Sequence, residues 1–170
     1  MSSWSSSSEA SVADGALAAF LQSAELATVH LYETGAHLLT TPAAAQTAAV
    51  CAAHHRAHAS ALATLAGPSA ATGPNVALLT NLAPSLQLLS SEDDELGFLY
   101  SLEGQLAGTY EWAMSHFSAA PAVQQAATIL PVECQHSVEL GLLLSKPMAD
   151  LVGVFQGQDG YLDPHEFPLP

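Results

Sequence analysis

The chain has 170 residues, 16 of them acidic and only two, Arg56 and Lys146, basic, for a formal net charge of −14. That balance argues against nucleic acid or an anionic membrane surface as a partner. Hydrophobic residues make up 49%, mostly Ala and Leu, a mixture that favours helix. Polar residues interrupt every apolar run well before the roughly 20 residues of a membrane span.

The opening stretch, MSSWSSSSEASVADG, has neither a basic n-region nor an apolar h-region, so no secretory signal is expected. Residues 1–11 read as a disordered Ser-rich leader, the chain as cytoplasmic, and Cys51 and Cys134 as thiols rather than a disulfide. A first helix is expected from about Ser11 to Leu39. The second opens at Thr41-Pro42, a cap followed by Pro at the first helical position, and stops at Gly67-Pro68.

Residues 67–90 carry three prolines and the apolar run VALLTNLAPSLQLL, long enough to cross the length of a bundle with one short helix on the way. The third helix starts at SSEDDE, where Ser caps and the acids complement the dipole, and runs to about Phe117. The fourth spans Pro121 to about Lys146, with Pro131 expected to kink it and free a carbonyl. Short turns join the first helix to the second and the third to the fourth, so each pair is an antiparallel hairpin. The expected fold is all-α: a four-helix bundle over residues 12–146 with one long crossover. Residues 147–170 read as an irregular tail against the bundle or a partner subunit.

Shifting the chain by 78 residues aligns 20–66 with 98–144 without a gap, with 13 identities in 47 positions. The Ala and Leu matches are cheap in this composition. Phe20/Phe98, Glu25/Glu103, Tyr32/Tyr110, Glu33/Glu111 and His58/His136 are not. The repeat aligns His55-Arg56-Ala57-His58 with Glu133-Cys134-Gln135-His136. Residues three apart share a helix face. A two-fold arrangement of the hairpins therefore converges Glu25, His55, His58, Glu103, Glu133 and His136. Such a buried set implies a cation, because unpaired buried charge is costly.

One Glu from each of two helices, with Glu-x-x-His from each of the other two, is the ligand pattern of ferritin-like di-iron and di-manganese carboxylate proteins. The chain resembles that superfamily, in particular small bacterial ferritin-like and rubrerythrin-like domains. The Glu-x6-Tyr spacing also resembles rubrerythrin. The resemblance implies Glu25, Glu103, Glu133 and His136 as metal ligands, with Fe or Mn as one or two ions. Its reactions would be oxidation of iron or reduction of O2 or peroxide. Helix 2 departs from the pattern, with His55 where Glu is expected. A third imidazole moves preference toward Zn, Cu, Ni or Fe(II). The alternatives left open are one ion, two ions bridged differently, and a non-catalytic bundle; a mononuclear Zn protein is one form of the first. Ferritin-like bundles commonly pair through helix faces, so a homodimer is expected.

Tyr32 and Tyr110 read either as partners that hydrogen-bond to the ligands or as core aromatics with a polar tip. His54 and Arg56 are expected outside, with His54 a substitute for His55 if the helix register shifts. His30, Glu33 and His37 share a face that reads as solvated surface, with a second metal site as the alternative. Glu33 and Glu111 are expected to pair at an interface, Cys134 to pack, and His116 and His165 to lie on the surface.

Overall fold

The structure is a computed structural model that describes the backbone of residues 3–153 and 157–169, with side chains described from Ala13 onward. Every regular element among the described residues is helical. α1 spans Ser3–Gly35, α2 Pro42–Ala66, α3 Val76–Leu86, α4 Glu92–His116, α5 Ala120–Leu143 and α6 Met148–Leu151. α1 begins at Ser3, ahead of the start near Ser11 read from the sequence, so helical backbone runs through most of the Ser-rich stretch. Ser has only a middling helix propensity, and an established helix extends at little cost. Met1 and Ser2 lie outside the described residues.

The local chemistry explains the boundaries. Thr41 caps α2 with Pro42 behind it, and α2 ends at Gly67, whose φ of 56° suits a residue without Cβ. Ser91 caps α4, and Glu92, Asp93, Asp94 and Glu95 fill its first turn. Asn75 caps α3, the short helix expected within the crossover. α5 runs through Pro131 as one helix.

α1 packs along α2 and α4 along α5 as two hairpins, which meet through α2–α5 and α1–α4 contacts. Two carboxylates clamp the hairpins reciprocally. Glu92 at the start of α4 accepts from the backbone N–H groups of Thr40 and Thr41 at 2.6 and 2.7 Å. Asp14 in α1 accepts from those of Ser118 and Ala119 at 2.8 and 2.7 Å. Adding 78 to 14, 40 and 41 gives 92, 118 and 119, so the clamps obey the repeat although three of the residue types differ.

The tail lies on the bundle. The Leu162 N–H donates to the Thr109 hydroxyl, Tyr161 stacks on Trp112, and Asn75 reaches both Ser23 and the Phe167 carbonyl. The core consists of two apolar clusters. One includes Leu21, Leu62, Leu106, Tyr110 and Ile129, and the other Tyr32, Cys51, Leu99 and Leu140. No described helix is long and apolar enough to cross a membrane.

Candidate metal centre

Between the two apolar clusters lies a polar layer with a side chain or more from each of the four long helices. α1 contributes Glu25, α2 His55 and His58, α4 Glu103, and α5 Glu133 and His136. All except His58 are buried: Glu25, His55, Glu103 and Glu133 are 0% exposed and His136 2%. The ladder of Ala and Leu around them explains how bare carboxylates come to be enclosed. Small residues such as Ala24, Ala27, Ala52 and Ala59 let the helices approach closely.

The six groups form two overlapping sets, Glu25–His55–His58–Glu133 and His55–Glu103–Glu133–His136. In each set, one ligand atom per residue lies within 4.8 Å of all the others. Opposite ligands at about 2.1 Å from a single ion would stand about 4.2 Å apart, so little contraction is needed. Either set could hold a metal ion. Among the described residues no other His, Cys, Asp or Glu group does so.

His55 sits at the middle. Its Nδ1 is 2.7 Å from Glu25 Oε2, and its Nε2 is 2.9 Å from Glu103 Oε1. Glu133 lies between the two outer histidines, with Oε1 2.8 Å from His58 Nδ1 and Oε2 3.4 Å from His136 Nδ1. His58 Nδ1 and both Glu133 oxygens nevertheless have no aligned hydrogen-bond partner. They are close to one another and off-axis, which is how donors stand when they aim at a shared point.

Each tyrosine serves the opposite hairpin. The Tyr32 hydroxyl donates to Glu103, and the Tyr110 hydroxyl to Glu25. Both phenols are held well above their ordinary range, by burial first and by those carboxylates next. Tyr32 and Tyr110 thus each hydrogen-bond a buried carboxylate of the layer.

Burial alone would raise all three carboxyls. For Glu25 the His55 and His58 imidazoles overcome it and bring the group down to about 2. His55 and His136 likewise hold Glu103 well below the carboxylate range. Glu133 moves the other way, raised by burial and then by the charge on Glu25. Burial opposes charge on the imidazoles too, but the carboxylates prevail: His55 is held well above its usual value, and His58 and His136 rise to about 9.

His54 is exposed, as expected, and in addition its Nδ1 lies 2.9 Å from His136 Nε2 and its ring stacks on His136 at 5.2 Å. The signal that could have found it is the His54–His58 spacing, one helical turn apart on the same side of α2. His30, Glu33 and His37 do not converge: Glu33 pairs with Arg56, and His37 bonds the Thr34 carbonyl. His116 stacks on Trp112, and His165 is exposed. Cys51 and Cys134 form no disulfide, and Cys51 lies beside Tyr32, its thiol pushed up to about 12 by burial and then by Glu103.

One further acid is buried without help. Glu95, in the first turn of α4, is 0% exposed, and neither of its oxygens has a hydrogen-bond partner. Gly35 makes room for it, since a Cβ there would come within 1.9 Å of the Glu95 carboxylate. Burial raises this carboxyl to about 7.

The model of the ferritin-like domain matches residues 13–146. The chain belongs to the ferritin-like domain family. No curated protein and no solved structure matches it. The matched span contains the whole polar layer and the crossover.

Proposed function

We propose that the chain is a ferritin-like metalloprotein whose core centre binds Fe or Mn, as one or two ions, and does redox chemistry on O2, peroxide or iron. The observation that carries the reading is the convergence of three carboxylates and three imidazoles in a buried layer, with Glu133 and His58 atoms close but unaligned. The donor set fits such ions, since carboxylate and imidazole both suit Fe and Mn. Glu25 and His58 would hold one position, Glu103 and His136 the other, with His55 and Glu133 between them.

A reduced iron or manganese centre supplies the electrons for O2 or peroxide when bound. The protein's own part is positioning. Tyr32 and Tyr110 fix the Glu103 and Glu25 carboxylates from across the bundle. The apolar clusters on either side exclude water and strengthen every electrostatic contact in the layer. His54, exposed at one nitrogen's reach from His136, connects the layer to solvent. The same reading takes the protein as a cytoplasmic homodimer, to be checked by sedimentation and cell fractionation.

A second reading, zinc held without turnover, is favoured by one observation. The third imidazole, His55, is fully buried at the centre of the layer, and nitrogen donors suit zinc. Elemental analysis of protein purified without chelators, with anomalous diffraction at the iron, manganese and zinc edges, separates the two. Iron or manganese between Glu25, His55, Glu103 and Glu133 is the expected result. Metal-replete crystals with no anomalous peak there would refute both readings.

A further inference from the structure

We propose that His55 bridges two metal positions through both of its ring nitrogens, as an imidazolate paired with the carboxylate bridge Glu133. This rests on the metal-centre reading above and specifies how that centre is divided. The two four-residue sets share only His55 and Glu133. Each of those residues turns a different atom to each set. His55 presents Nδ1 to Glu25 at 2.7 Å and Nε2 to Glu103 at 2.9 Å. Glu133 presents Oε1 to His58 at 2.8 Å and Oε2 to His136 at 3.4 Å. Neither residue has to choose between the sets.

The internal repeat gives the same answer independently. Residue 55 plus 78 is residue 133, so the two shared residues are each other's counterparts across the pseudo-two-fold. The remaining ligands pair off in the same way, Glu25 with Glu103 and His58 with His136. The residue that replaces a bridging-position carboxylate in one half therefore faces the same pair of sets as the carboxylate retained in the other. Enclosure keeps it there: His55 is 0% exposed, and its ring lies 5.4 Å from that of Tyr32.

Charge completes the argument. Three carboxylates leave two divalent ions one negative charge short of neutrality. Between Glu25 and Glu103 the ring starts with an N–H on each nitrogen. Each ion that binds displaces one of these protons: the N–H bond breaks, the proton leaves to solvent, and the freed electron pair forms the metal–nitrogen bond. No electron is transferred, and the imidazolate supplies the fourth negative charge. Metal–nitrogen bonds of about 2.0–2.1 Å on opposite sides of one ring set the ions roughly 6 Å apart. Two-metal sites closed only by smaller bridges hold them at about 3.5–4 Å, so at the wider span Glu133 directs its two oxygens apart, Oε1 to the His58 side and Oε2 to the His136 side.

The test uses the full chain stripped of metal and titrated with cobalt(II). Calorimetry gives the stoichiometry, and anomalous diffraction at the cobalt edge gives the separation. Wild-type protein is expected to bind two ions per chain about 6 Å apart, the separation set by the ring. His55→Gln, which cannot bridge, should lose affinity for the second ion by at least about tenfold. His55→Glu should bind two ions at a shortened separation of about 4 Å. If wild-type protein stops at one ion at saturating cobalt, or His55→Gln binds two at the wild-type separation, the bridge is refuted while the metal centre stands. If wild-type protein binds no cobalt in the core, both fall. Circular dichroism of each metal-free variant checks its fold; should His55→Gln fail to fold, the wild-type separation and His55→Glu decide the matter.

Discussion

In the second hairpin the helix facing the centre contributes one acid and one imidazole, Glu133 and His136. In the first it contributes two imidazoles, His55 and His58, with a third, His54, leaning on His136 from outside. The rest of the layer is matched, Glu25 with Glu103 and Tyr32 with Tyr110, and outside it so are the clamps of Asp14 and Glu92 on opposite turns. One exchanged residue type thus separates two halves that otherwise do the same work. His55 stands between two carboxylates, where it compensates both, while an acid at that position would add to their repulsion.

The sharpest way to break this comparison is to remove the two counterparts in turn. In metal-free protein at pH 7, His55→Ala should destabilise by about 3–5 kcal/mol, because Glu25 and Glu103 lose the cation they share. Glu133→Ala should cost less, since it removes an acid that burial and Glu25 already disfavour. Urea unfolding measures both. Equal costs would mean that the halves are interchangeable after all.

The tyrosines ask whether the symmetry is energetic as well as geometric. Tyr32→Phe and Tyr110→Phe each remove a hydroxyl donated to a charged group, worth about 1.5–3 kcal/mol. Matched losses in chemical denaturation are expected. A double variant that loses less than the sum would show the two bonds to be coupled through the layer.

The smallest effect is expected where the repeat breaks outside the centre. Glu95 is the counterpart of Leu17, yet it lies buried and without a partner beneath Gly35. Its carboxyl rises from 4.5 in the unfolded chain to about 7 in the folded protein. The folded state therefore prefers it protonated; a penalty grows as pH climbs from 4.5 to 7 and stays constant above. Glu95→Met should leave stability near pH 5 almost unchanged and raise it at pH 8 by about 1 kcal/mol, discounted from the full linkage value for residual solvation. Thermal melts at the two pH values read this directly, and no gain at pH 8 would mean that the carboxyl is hydrated.

Much of the fold was legible because punctuation and periodicity agree. Thr41-Pro42 and Gly67-Pro68 bracket α2, and Ser91 with four acids opens α4. The six central residues were legible through the repeat, since Glu, Tyr and His matches are rare in an Ala-rich chain. The clamps were not. Asp14 aligns with Glu92 and Thr40-Thr41 with Ser118-Ala119, so the chemistry persists while none of the three residue identities does, and Asp14 lies outside the 20–66 window. His54 escaped because angle alone puts it about 100° from His55, whereas the reach of an imidazole brings it back to His136. The tail's seat on the bundle depends on a backbone N–H meeting Thr109, a ring stacked on Trp112 and Asn75 reaching a backbone carbonyl, a combination no spacing in the sequence announces.

The clamps and tyrosine bonds have a kinetic consequence. Their partners are 51 to 105 residues apart, and each joins one hairpin to the other. A hairpin can form from local contacts within microseconds to milliseconds, but none of these bonds can close until both exist and have docked. The layer of acids and imidazoles is therefore assembled last, at the step that brings the halves together. An ion that favours the finished layer acts on docking and leaves the earlier formation of each hairpin untouched.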